Sequence, residues 1–134
     1  MQRYRQRISG PLLDRMDLVV EVATPAFEEL VDPAVEGVRE EELRARIDRA
    51  LAAASARQGE RRNAALGPDE LDRFAPLRAE ARDLVDAAAR RRGLSARAVQ
   101  SLRRVARTVA DLEGSAGIGP NHLAQALAVR AELS

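Results

Sequence analysis

Cysteine, lysine and tryptophan are all absent from this 134-residue chain, and only Tyr4, Phe27 and Phe74 carry large rings. Without cysteine there are no disulfides, no thiol nucleophile and no thiolate metal ligand. His122 is the only histidine, so a zinc centre is not expected, and neither is any other metal site. Without lysine the phosphate-cradling pattern G-x-x-x-x-G-K-[ST] cannot occur, and no G-x-S-x-G elbow is present. The chain as given is therefore expected to have no catalytic site of its own. Apolar runs fall far short of the roughly 20 residues that cross a bilayer. No signal peptide opens the sequence, no membrane partner is expected, and a cytoplasmic setting is the default.

What remains is rich in alanine and in charge. Apolar residues make up 46% and charged residues 32%, with 22 basic side chains against 21 acidic ones. The net charge of +1 argues against a wholly basic nucleic-acid binder. A core without rings must be assembled from Leu, Val, Ile and Ala, and such chains are usually helical. Every basic residue besides His122 is Arg. That uniformity reads as compositional bias rather than as selection at each site, so the weight falls on where particular arginines sit.

Ser9-Gly10-Pro11 breaks the chain and starts a turn. Asp17 to Val22 is a β-branched run of strand length, ended by Thr24-Pro25. It has no second strand to pair with, so residues 1–24 are expected to be poorly ordered or ordered only through another chain. An acidic stretch with Pro25 and Pro33 then leads into a helix from about Val38 to Arg62, with Leu43, Ile47, Ala50, Leu51 and Ala54 at helical spacing. Gly67-Pro68 opens a short helix through Phe74. A third helix fits Pro76 to Arg92, with Leu77, Ala81, Leu84, Val85 and Ala88 inward and Gly93 as its stop. Ser95 caps the most periodic helix, whose stripe is Ala98, Leu102, Val105, Ala106, Val109 and Leu112, ending at Gly114. Gly119-Pro120 opens a last one, with Leu123, Ala126, Leu127 and Ala131 inward.

Two arginine sites stand out. The first is Tyr4-Arg5-Gln6-Arg7-Ile8-Ser9-Gly10-Pro11-Leu12-Leu13-Asp14-Arg15-Met16-Asp17-Leu18. The second runs from Leu94-Ser95-Ala96-Arg97-Ala98 through Arg104-Val105-Ala106-Arg107-Thr108-Val109-Ala110-Asp111-Leu112-Glu113-Gly114. On the residues alone, Asp14, Arg15 and Asp17 equally fit a local ion-pair cluster capping a turn, and Arg97 a solvated surface side chain. Arg103, Arg104 and Arg107 read as a basic face opposite the apolar stripe, turned to water or to another subunit. Arg57, Arg61 and Arg62, and Arg90 to Arg92, read as solvated helix ends. His122 reads as a surface or capping histidine.

Both segments resemble AAA+ ATPases of the magnesium-chelatase and MCM-helicase group, in particular the bacterial YifB/ComM competence-protein family. The resemblance covers nearly the whole chain; Met16 stands where the family has Ile or Phe, and residues 26–42 do not align. It implies an all-α lid bundle of four to five helices, with a short N-terminal extended segment left over from an α/β AAA+ core. It divides the chain into a core remnant (1–24), an acidic linker (25–37) and a helical lid (38–134). It implies that Arg15 is the arginine finger and Arg97 the sensor 2 residue, with Asp14 and Arg104 supporting. A guanidinium with five fixed donors and a permanent charge suits the γ-phosphate. The parent is expected to use ATP and Mg²⁺, to form a homo-hexameric ring with neighbouring subunits, and to act on DNA, as the competence-associated members imply, or on a protein client, as the metal chelatases suggest. No cofactor is expected in this fragment. The competing expectation is a free-standing helical module that docks DNA or protein through its arginine clusters.

Overall fold

The computed structural model describes residues 15–20, 22, 24 and 39–130. Five α-helices and one 3₁₀ turn account for the fold: α1 (Glu40–Gln58), the 3₁₀ turn (Asn63–Ala65), α2 (Pro68–Phe74), α3 (Ala79–Arg92), α4 (Ala96–Leu112) and α5 (Pro120–Ala128). The architecture is an all-α bundle. α4 is its axle, packed against α1, the 3₁₀ turn, α2 and α5, while α3 leans on α5.

The helix starts follow from local chemistry. Two of them repeat one device, Gly-Pro followed by a side chain that reaches back. At α2 the Gly67 N–H donates to Glu70 Oε2 at 2.9 Å, and at α5 the Gly119 N–H donates to His122 Nδ1 at 2.9 Å. Proline fits the first helical position because its missing N–H would have no partner there anyway. α4 starts on Ser95, whose hydroxyl accepts from the Ala98 N–H at 3.1 Å. Between α3 and α4, Gly93 takes φ +62°, the left-handed conformation that lets the chain reverse at once.

The core is small and aliphatic: Leu66, Leu71, Ala75, Ala81, Val85, Leu102, Ala106, Ala110, Ile118, Leu123 and Ala126, with Phe74 and Leu77 at its edge. A single parallel bridge between Leu77 and Ile118 clips the chain after α2 to the chain before α5. α1 is peripheral. Only Ala50 is buried on it, and Leu43, Ile47 and Leu51 remain 42–49% exposed.

Two expectations need correction. No strand forms among the described residues 15–20, 22 and 24, and residues 17–19 are not left to another chain. Asp17 accepts from Ser101 on α4, and the Val19 N–H donates to the Val129 carbonyl at 2.9 Å. One side-chain and one backbone hydrogen bond thus dock the segment on its own bundle, without sheet partners among the described residues. The stripe of α4 is also out of phase with the apolar spacing. Its buried residues are Ala98, Ser101, Leu102, Ala106, Arg107, Ala110 and Asp111, whereas Val105, Val109 and Leu112 are only half-buried.

Candidate functional site

The start of α4 carries the candidate. Arg97 is the second residue of the helix, exposed, and makes no hydrogen bond or ion pair among the described residues. A cation in a first turn opposes the helix dipole by about 0.3–1 kcal/mol. Four residues on lies Ser101, one turn along the same face. Its hydroxyl, 2% exposed with its residue, donates to Asp17 Oδ1 at 2.5 Å. Arg15 sits two residues before Asp17, exposed in a turn, and is likewise without a hydrogen bond or ion pair among the described residues. The docked segment places Asp17, two residues from Arg15, against Ser101, one helical turn from Arg97. Asp17 is spent on Ser101 rather than on Arg15, so the local ion-pair reading of that turn fails for Asp17. Asp14 lies outside the described residues.

The other arginines of α4 are used by the fold. Arg104 donates from Nε to the Leu66 carbonyl at 2.9 Å, two turns along from Arg97. Arg103 donates to the carbonyls of Leu71 at 2.9 Å and Ala75 at 3.3 Å, and pairs with Asp72 at 2.8 Å. Arg107 is fully buried; it donates to the carbonyls of Ala116 at 2.9 Å and Ser115 at 2.6 Å, and pairs with Asp111 at 3.0 Å. The expected basic face is thus a set of clamps on the carbonyls of neighbouring turns. Long Arg stems lie along apolar surface while their heads satisfy backbone groups that helix ends leave open.

Sequence reasoning missed the polar junction around Asp111, whose side chain is 3% exposed. Arg57 grips it with two bonds, 2.7 Å and 2.9 Å, from the end of α1. Asn63 adds Nδ2 at 2.8 Å and Arg107 pairs from the same helix. Burial alone would raise the Asp111 carboxyl, but the hydrogen bonds from Arg57 and Asn63 and the charges of Arg107 and Arg57 outweigh it and hold it below its ordinary range. Burial pushes the Arg107 guanidinium down, against the raising effect of Asp111. The i,i+4 spacing of Arg107 and Asp111 was the available signal. Beside this junction α1, the 3₁₀ turn and the end of α4 enclose an open groove of about 580 Å³, lined by Ile47, Leu51, Ala54, Thr108 and Leu112 among others.

His122 caps rather than faces water. It is 4% exposed, its Nδ1 accepts from Gly119, and the proton this leaves on Nε2 is directed at Glu113 Oε2, 3.0 Å away. A hydrogen bond from Gln125, with the His122 ring and Asn121 adding to it, holds Glu113 below its ordinary range. Of the terminal clusters, Arg57 is committed to Asp111 and Arg61 to Glu70 at 2.6 Å, while Arg62, Arg90, Arg91 and Arg92 stay exposed. Among the described residues no three His, Asp or Glu side chains gather to hold a metal ion, and no helix is long and apolar enough to cross a membrane.

The chain is similar to known proteins along nearly its whole length. Residues 37–130 match the family described as magnesium chelatase, subunit ChlI C-terminal, and residues 1–30 match magnesium chelatase, subunit ChlI. The chain is 34% identical over 131 residues to the competence protein ComM of Haemophilus influenzae, covering 98% of this chain and 26% of that protein. It is 38% identical over 132 residues to the uncharacterized protein YifB of Escherichia coli, covering 96% of this chain and 25% of that one. The chain thus spans about a quarter of the length of these relatives.

Proposed function

The chain belongs to the magnesium-chelatase ChlI-like family that includes ComM and YifB, and from that membership we propose that it is the lid of a ring-forming AAA+ ATPase. In this reading the helical lid and the segment before it complete ATP sites shared between neighbouring subunits, in a homo-hexamer that remodels DNA. Arg15 reaches a neighbour's nucleotide as the arginine finger, and Arg97 reads the nucleotide as sensor 2, with Asp14 and Arg104 in support. The phosphate-binding loop and the Mg²⁺ ligands belong to the remainder of the ATPase. Bound Mg²⁺ would offset charge on the β- and γ-phosphates.

One observation carries this reading. Of the four arginines on α4, three are consumed by backbone carbonyls and ion pairs, and Arg97 alone makes no such contact among the described residues. It stands at a position where the helix dipole disfavours it. A side chain kept at a local cost and unused by the fold is available to an anion. Arg15 is free in the same sense, on a turn anchored two residues away. Of the arginine clusters that a DNA-docking module would use, Arg57, Arg61, Arg103, Arg104 and Arg107 are tied into the bundle, while Arg62 and Arg90 to Arg92 stay exposed.

The test is hydrolysis by the complete ATPase. Arg15→Ala should bind nucleotide normally but turn over roughly 10³-fold more slowly, the scale of a lost arginine finger. Arg97→Ala should weaken the coupling of nucleotide to turnover while the lid melts no earlier, since a slightly unfavourable dipole contact is removed. Wild-type turnover in the Arg15 variant, or early melting in either, makes these residues structural.

A further inference from the structure

We propose that Ser101 is a positioning residue: by holding Asp17 it fixes the Arg15 turn against α4, and so couples the arginine that reaches a neighbour's nucleotide to the helix whose first turn carries Arg97. The proposal rests on the arginine-finger reading of Arg15 given above.

Ser101 is a polar residue on the core-facing side of α4, between Ala98 and Leu102, both 1% exposed. A serine within a helix ordinarily turns its hydroxyl back to the carbonyl one turn earlier, which satisfies it locally. Here the hydroxyl reaches instead to a carboxylate 84 residues away in sequence. Hydrogen bonds to an ionised acceptor are about twice as strong as neutral ones. Asp17, for its part, has an exposed arginine two residues away and does not pair with it. The choice of partner on both sides is against the local default.

A second contact acts on the same segment from the other side. The Val19 N–H donates to the carbonyl of Val129, just beyond α5, and the neighbouring Arg130 donates from its guanidinium to the Ala98 carbonyl at 3.4 Å. Residues 17 and 19 are thus pinned to α4 and to the end of α5, while Met16, Leu18, Val20 and Val22 stay 37–79% exposed. Among the described residues the segment is held by these two hydrogen bonds and the half-buried Val19, while its other apolar side chains stay exposed. Its position is therefore set by where α4 and α5 stand. Ser101 is one helical turn from Arg97 and Asp17 is two residues from Arg15. A shift of α4 on a change of nucleotide must carry the Arg15 turn with it or break the Ser101–Asp17 bond. That is a physical route from one ATP site to the next around a ring.

Two measurements test this. In the 134-residue chain, amide hydrogen exchange at Val19 reports the docking directly. Ser101→Ala and Asp17→Ala should each speed it about tenfold or more, the double variant should be no faster than either, and Asp17→Asn, which keeps a neutral acceptor, should fall between wild type and Asp17→Ala. Amides of Leu102 and Ala106 should keep their protection in all four. Unchanged Val19 exchange in Ser101→Ala, or additive effects, overturns the proposal. In the complete ATPase, Ser101→Ala should lower kcat with KM for ATP retained, and adding Arg15→Ala should lower it only to the level of Arg15→Ala alone. A wild-type rate for Ser101→Ala beside a slow Arg15→Ala overturns the positioning role and leaves the finger reading standing. A wild-type rate for Arg15→Ala removes the finger reading, and the proposal falls with it even where Val19 exchange shows the contact intact.

Discussion

Asp111→Ala is expected to be among the most damaging single changes to the helical bundle. The carboxylate is 3% exposed and neutralises Arg107, which is fully buried, while also receiving Arg57, 22% exposed, and Asn63. Removing it leaves Arg107 charged inside the bundle with two backbone carbonyls as its remaining partners and an Nε that has none. Breaking a buried pair from one side costs about 3–5 kcal/mol, because the surviving charge is uncompensated. Arg57 adds little to that, since it can swing into water. A domain of this size has about 5–15 kcal/mol in total, and each kcal/mol moves the melting point by about 4–8 °C. The expected drop is of order 20 °C in a melt followed by far-UV circular dichroism. Asp111→Asn keeps an acceptor and should lose less, and Arg57→Ala should lose about 1 kcal/mol, since Arg107 and Asn63 still hold the carboxylate. A loss below about 1 kcal/mol for Asp111→Ala would refute the reasoning. It would mean that Arg107 finds water or another acceptor.

Other outcomes follow from the same contacts. Asp111, Glu70 and Glu113 all have carboxyls held below their ordinary range. For Glu70 the main cause is the Gly67 N–H it accepts. Their contribution is present in full above the unfolded carboxylate values of about 3.9–4.3 and is lost as pH falls through the lower folded values. The melting point should be level from about pH 7 to 5 and fall below about pH 4, with a shallower fall in Asp111→Asn, read by thermal melts across that range. His122→Ala removes the cap of Gly119 and a partner of Glu113 together, and should cost about 1–3 kcal/mol in urea unfolding, whereas an exposed histidine would cost almost nothing.

The helices were legible because their punctuation is chemical. Gly67-Pro68, Gly93, Ser95 and Gly119-Pro120 mark boundaries that the structure keeps, with α2 at Pro68–Phe74 and α3 ending on Arg92 before Gly93. The start of α3 at Ala79 rather than Pro76 reflects the Leu77–Ile118 bridge, which draws the preceding residues into an extended clip. The inward faces of α3 and α5 follow their apolar spacing at Ala81, Val85, Leu123 and Ala126; Ala131 lies outside the described residues. α1 does not: Leu43, Ile47 and Leu51 have helical spacing and remain exposed, since spacing defines a face but not whether anything covers it. α4 misled for a different reason. Its buried side includes Ser101, Arg107 and Asp111, each satisfied by a distant partner, and apolar periodicity cannot register a polar residue buried in a network. For the same reason the arginines could be recognised as a group, but not sorted into the ones the fold uses and the ones it leaves free. Asp17 was read with the turn around it because its partner is on another element.

The most direct test of the lid account is subunit mixing in the complete ATPase. A site shared between neighbours needs one intact half from each, so subunits carrying Arg15→Ala, mixed with subunits defective in the phosphate-binding loop, should recover partial hydrolysis that neither shows alone. If the mixture stays as inactive as its components while both still assemble, Arg15 does not act across the interface and the central claim is wrong.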